Sequence, residues 1–437
     1  MRAKKKMALS HRTLRSSLWT IVVTALITLL AVLIALNFTM GEQYIKRPLG
    51  HHYSIRDPQF TRSMGILLGP LIVSGNRFEA LLNGDQIFPS MLRAIRGARQ
   101  TITFETYIYW SGNVGREFAE ALADRARSGV NVHVLIDWVG SDRMDSRHLE
   151  TMQHAGVDVR RFHKPSWYDF TNLNNRTHRK ILVVDGATGF TGGVGIGDEW
   201  SGHAQDVDHW RDTHFKVEGP VVAQMQAVFA DNWLKATGVA LHGARYFPSI
   251  APIGDGYAQM FASSPDGGSE SMELMYLLII SAATQSIDLS MAYFIPDAMA
   301  RDTIVEALKR GVRIRIITPG PKSDVEVARR ASRALWGDVL LAGAEIYEYQ
   351  PTMYHVKAMI TDSLVVSVGS TNFDDRSFHL NDEATLNIYD EKFARKQTEI
   401  FERDLAQSRR ITFDEWRSRP LTEKALERLI ALLAPQL

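Results

Sequence analysis

The chain has 437 residues, is 45% apolar, and carries 50 Lys and Arg against 49 Asp and Glu, a formal net charge of +1. That is enough chain for two globular domains of about 150–200 residues each. Cysteine is absent, which excludes a disulfide framework and any thiolate metal site, and leaves the redox compartment open.

Residues 1–17 hold Arg2, Lys4, Lys5, Lys6, Arg12 and Arg15 and no acid. Without these six, 44 basic residues face 49 acidic ones. A chain gripping a long nucleic acid through many phosphates would carry a basic surplus, so nucleic acid is disfavoured as a partner. From Leu18 to Phe38 no residue is charged. In a helix this run would measure roughly 30 Å, the thickness of a bilayer core, and it predicts one transmembrane helix over 18–38. The run exceeds the usual 7–15 apolar residues of a signal peptide, and Ala35-Leu36-Asn37-Phe38 is no small-x-small cleavage site, so an anchor is preferred to a cleaved signal. The basic flank predicts a cytoplasmic segment over 1–17, with everything after about residue 40 across the membrane. In a bacterium this means a single-pass protein of the inner (cell) membrane with its folded part in the periplasm or cell exterior. Lys46 and Arg47 weaken that asymmetry slightly. Residues 39–82 read as a linker.

The remainder uses one pattern twice. Strand candidate Thr101–Tyr107 precedes a helical stretch near Gly115–Ser128 and a second strand, Gly129–Ile136. In the second copy Ser286–Tyr293, a helix near Ala298–Arg310 and Gly311–Ile317 follow in the same order. Ala155-Gly156-Val157-Asp158-Val159 then corresponds to Ala342-Gly343-Ala344-Glu345-Ile346. Strand–helix–strand spacing predicts α/β folding. Gly238, Gly243, Pro248, Pro252 and Gly254 interrupt the pattern, which predicts domains over 83–245 and 246–437.

Each copy contains the motif H-x-K-x-x-x-x-D: His178, Lys180 and Asp185, then His355, Lys357 and Asp362. On a strand, positions i and i+2 share a face, so each motif is expected to aim an imidazole and an ammonium at one point. Lysines beside the histidines oppose binding of a metal cation. Two ammonium and two imidazole groups around a cavity suit an anion such as a phosphodiester. No cofactor is expected. Asp185 and Asp362, an odd offset from the histidines, are expected to hold the fold through backbone hydrogen bonds at a turn.

The paired motif resembles that of the phospholipase D superfamily. The flanks Thr191-Gly192-Gly193, Asp198-Glu199-Trp200, Trp210-Arg211-Asp212-Thr213 and Gly369–Ser377 resemble the bacterial cardiolipin synthase branch. The resemblance covers roughly residues 83–437. It implies two similar α/β domains related by a pseudo-twofold axis, each supplying half of one metal-independent site. It implies phospholipid substrates, foremost phosphatidylglycerol, and the membrane as partner. One histidine would attack phosphorus and the other protonate the leaving oxygen, with His178 as nucleophile and His355 as acid and base. Lys180 and Lys357 would neutralise the phosphoryl oxygens and Asn372 would donate to them. Where the family places a second asparagine the first copy has Gly195; a backbone amide, the Thr191 hydroxyl or water is expected to compensate. The supporting carboxylate falls on Glu383, 28 residues after His355, and its first-copy counterpart on Asp212. Cardiolipin synthesis from two phosphatidylglycerol molecules leads. Hydrolysis or transfer to another alcohol, a nuclease, and a non-catalytic lipid-binding scaffold are the alternatives.

Three aromatic and C-terminal features remain. Trp167, Tyr168 and Phe170, in a stretch with Pro165 and Asn172, and Tyr107, Tyr109 and Trp110 are expected either to line a lipid groove or to pack. Thr422 is expected to cap a helix whose Leu426, Leu429, Ile430 and Leu433 dock on the second domain, with membrane contact as the alternative.

Overall fold

The computed structural model describes residues 19–34, 49–164, 174–265 and 272–436. Both halves contribute to one 16-stranded sheet among these residues. In the first half Asp158–Phe162, Asn131–Asp137 and Thr101–Thr106 run parallel. The antiparallel strands Ile181–Val184, Thr188–Gly192, Thr213–Glu218 and Val73–Leu82 follow. The second half repeats this order with Glu345–Tyr349, Arg313–Pro319, Ser286–Met291, Lys357–Thr361, Val365–Gly369, Asn381–Tyr389 and Gly256–Ser263. Val73–Leu82 and Gly256–Ser263 pair with each other and join the halves. The region expected as a linker thus supplies a strand of the repeat. It also holds the helix Pro58–Leu68, which starts on proline and is capped by the Asp57 carboxylate.

Apolar side chains alternate to the two faces of this sheet, and helices cover both. The core under Met272–Ala282 includes Met275, Ile279, Leu289 and Ile316. That of the first half includes Ile87, Phe104, Phe118 and Val134. The third spans the seam, with Phe215 and Val217 beside Met260, Leu386 and Ile388. Asp185 and Asp362 act as the sequence pattern suggests. Both adopt positive φ, 51° and 50°, a conformation that aspartate tolerates. Asp185 accepts from the amides of Arg99, Gln100 and Thr101 at 2.7–3.0 Å. Asp362 does the same for Thr284, Gln285 and Ser286. Each fixes the turn after its motif strand to the start of the neighbouring strand.

The predicted membrane anchor requires correction. The helix described there covers residues 19–34. Among the described residues no helix is long and apolar enough to cross a membrane. The transmembrane helix, and the single-pass inner-membrane localisation built on it, are overturned. Residues 1–18 and 35–48, and Pro165, Trp167, Tyr168, Phe170 and Asn172, lie outside the described residues.

Candidate active site

The motif strands begin later than expected. His178, Arg179 and Lys180 precede the strand that starts at Ile181, and His355 and Val356 precede the one that starts at Lys357. These short stretches are bound across the seam instead. Arg176 and Thr177 pair with Asn381 and Asp382, and the His178 amide donates to the Asp382 carbonyl at 2.9 Å. In the other direction the Arg211 amide donates to the Met353 carbonyl and the His355 amide to the Arg211 carbonyl. Each histidine is therefore tied to the residue just before a carboxylate of the opposite half.

That backbone arrangement decides the carboxylate partners. His178 Nδ1 lies 2.8 Å from Glu383 Oε1, and His355 Nδ1 lies 2.7 Å from Asp212 Oδ2. The pairs are crossed between copies, not formed within each copy as the sequence offsets suggest, because the clamping strands exchange. Both carboxylates are buried. Burial would raise their pKa values, but the facing imidazole and the neighbouring lysine hold each below the ordinary range. Each ring is thus a neutral imidazole whose Nδ1 proton points at a carboxylate, with Nε2 left for chemistry.

The two dyads meet at one cavity of about 690 Å³ lined by His178, Lys180, His355 and Asn372. Burial pushes the His178 imidazole down to about 4, opposed by Glu383, and lowers that of His355 as well. Burial also pushes Lys180 down to about 7 and Lys357 to about 8. An anion between these groups would restore their positive charge. The lysines are folded back alike, Lys180 Nζ donating to the His178 carbonyl at 2.8 Å and Lys357 Nζ to that of His355 at 2.9 Å. They differ in one respect. Lys357 Nζ stands 3.1 Å from Nδ1 and 3.0 Å from Nε2 of His355, whereas Lys180 Nζ lies over the Tyr107 ring at 5.7 Å.

The roles of the residues behind the dyads are not legible in the sequence, although the flanks that resemble the family contain three of them, Gly193, Trp200 and Ser370. Trp200 Nε1 donates to Asp212 Oδ2 at 3.0 Å and its ring stands edge-on to His355. Ser370 Oγ donates to Glu383 Oε2. Where Ser370 supports one carboxylate, Gly193 makes room for the other: a Cβ there would stand 2.2 Å from Asp212 Oδ1. Thr177 donates its amide to Asp137 and its hydroxyl to Glu105, whose carboxyl burial pushes up to about 7. Tyr107 and Trp110 line the cavity, while Tyr109 is buried and donates to the Gly115 carbonyl. Asp185 and Asp362 stand away from it. Gly195 is not an open place for a second asparagine, since a Cβ would come within 2.8 Å of Ile108 Cβ and 3.1 Å of the Trp200 ring. The Thr191 hydroxyl is buried with no hydrogen-bond partner among the described residues. Among those residues no group of three or more His, Cys, Asp or Glu is placed to hold a metal ion.

Comparison with known proteins agrees with this geometry. A family model described as cardiolipin synthase, PLD-like domain, matches residues 91–233 and again 276–405. Cardiolipin synthase 2 of Bacillus cereus is 35% identical over 411 residues, spanning 92% of this chain and 78% of that protein. Cardiolipin synthase A of Pseudomonas fluorescens is 34% identical over 370 residues, spanning 83% and 75%. Among solved structures, a phosphatidylserine synthase from Haemophilus influenzae superposes with a TM-score of 0.66 at 14% identity, covering 87% of this chain and all of that one; this likeness is one of fold. The chain belongs to the phospholipase D superfamily, within its cardiolipin synthase-like family. It is a phospholipase D-type enzyme with two copies of the catalytic α/β unit.

Proposed function

We propose that this chain is a phosphatidyltransferase that converts two phosphatidylglycerol molecules to cardiolipin and glycerol, each half supplying one histidine and one lysine. The observation that carries the proposal is the pair of crossed histidine–carboxylate dyads facing one cavity. In the first step His178 Nε2 attacks phosphorus, the bond to the glycerol headgroup breaks, and its oxygen takes the Nε2 proton of His355. The substrate's own negative charge, with Asp212 beneath the ring, favours the imidazolium needed for that donation. In the second step the glycerol hydroxyl of another phosphatidylglycerol gives its proton back to His355 Nε2 and attacks phosphorus. The P–N bond breaks, His178 is regenerated, and cardiolipin leaves. Lys180, Lys357 and the Asn372 amide balance charge on the phosphoryl oxygens.

His178 is assigned as nucleophile and His355 as acid and base on the family resemblance alone. The names of the relatives favour cardiolipin as product. The test is purified protein with labelled phosphatidylglycerol as sole lipid and EDTA throughout. Cardiolipin and glycerol in equal amounts are expected; phosphatidic acid as sole lipid product would replace transfer by hydrolysis.

A further inference from the structure

The helix Leu421–Ala431 is built the wrong way round for a helix that docks through its leucines. Its buried residue is Glu427, 1% exposed and paired with Arg419. Arg333 reaches Glu423 at 3.2 Å and Glu427 at 3.8 Å. Outward stand Leu421 at 81% exposure, Leu426 at 43%, Leu429 at 64%, and just beyond the helix Leu432 at 75%. The expected docking of Leu426, Leu429 and Leu433 is therefore corrected: only Ile430 turns inward, onto Ala328 and Ala331. Nor does Thr422 cap the helix, whose N-cap is Pro420 with no side-chain bond. A row of exposed leucines over an ion-paired inner face is costly in water and signals an apolar partner.

The position of this face says which partner. The chain turns from the helix directly into the cavity wall, where the Gln436 carbonyl accepts from Arg376 Nε at 3.0 Å. Ala328, against which Ile430 packs, also lines that cavity. Val139 and Val325, one from each half, are exposed at its mouth. The only charge among the exposed positions of the helix is basic, Arg428. We propose that this helix lies on an anionic lipid surface, leucines inserted, and holds the cavity mouth against it. This rests on the phospholipid reading above: a diacyl substrate that kept its chains in the lipid phase would need to offer only its headgroup to the histidines. Arg428 would face the anionic headgroups.

Because the chain has no cysteine, Leu432→Cys and Leu429→Cys each give one labelling site. Full-length protein carrying an environment-sensitive fluorophore is reconstituted in phosphatidylglycerol–phosphatidylcholine vesicles with brominated acyl chains. Strong quenching is expected at both positions and none at Glu399→Cys, an exposed site on the helix Glu391–Leu405. No quenching, or equal quenching at all three, overturns the proposal. So does a label already shielded before lipid is added, which would mean that protein covers the leucines. The double variant Leu429→Gln, Leu432→Gln is expected to lose about tenfold in rate on vesicles and nothing on monomeric short-chain phosphatidylglycerol. Equal rates on vesicles would also overturn it. Quenching in a protein that makes no cardiolipin would leave the docking and remove the transferase reading.

Discussion

Replacing Asp212 by asparagine removes one charge and one acceptor from a site with no slack. The carboxylate accepts from His355 Nδ1 at 2.7 Å and Trp200 Nε1 at 3.0 Å on Oδ2, and from the Thr213 amide at 2.7 Å on Oδ1. An amide has one oxygen for these three donors. With the oxygen toward His355, its NH2 faces the Thr213 N–H. With the oxygen toward Thr213, its NH2 drives the proton of His355 from Nδ1 to Nε2 and leaves the ring in the wrong tautomer. In a hydrolase triad the same exchange lowers kcat about 10⁴-fold, so Asp212→Asn should lose about 10³–10⁴-fold, or about 4–5.5 kcal/mol in barrier. Crossing of the dyads says which step suffers. A p-nitrophenyl phosphatidyl ester has a leaving group that needs no proton, so Asp212→Asn should still form adduct on His178. Glu383→Gln, which disturbs the nucleophile, should form little. Acid-quenched mass spectrometry reads both, with thermal melting to confirm folding. Adduct in Glu383→Gln but none in Asp212→Asn would refute the crossed assignment, as would turnover of Asp212→Asn within tenfold of the parent.

Three further outcomes are expected. Asn372→Ala should lower kcat about 10²–10³-fold, the cost of one oxyanion-type donor, because Gly195 offers no second amide; near-normal steady-state turnover would show that other donors suffice. Gly195→Asn should destabilise the protein by about 1–3 kcal/mol through overpacking against Ile108 and Trp200, and an unchanged melting temperature would contradict this. The buried lysines, held near 7 and 8, should lose charge as pH rises through that window, so kcat/KM falls there. Stability moves oppositely: depressed folded-state lysines mean that the unfolded chain binds more protons up to about pH 10.4, so this contribution grows with pH. Parallel pH–rate and pH–melting series should diverge, and a fall in both together would mark alkaline unfolding instead.

Much of this protein was legible without coordinates, for reasons of spacing. His178 with Lys180 and His355 with Lys357 stand out because two identical motifs at equivalent places of a repeat cannot be dismissed as packing. Asp185 and Asp362 could be given a turn role from their odd offset alone. The 18–38 stretch reads as a span by composition, whereas among the described residues no helix is long and apolar enough to cross a membrane. The strand Val73–Leu82 was missed because its mixed burial, set by two neighbours, leaves no clean alternation. The leucines of the last helix misled in the same way, since periodicity shows that residues share a face and not which way the face turns; Arg333 and Arg419 decided that by drawing Glu427 inward. Sequence by itself therefore determined the chemical groups, their number and their repeat. Which carboxylate serves which histidine was decided only in three dimensions, where hydrogen bonds from the His178 and His355 amides cross the seam and carry each ring to the carboxylate of the opposite half.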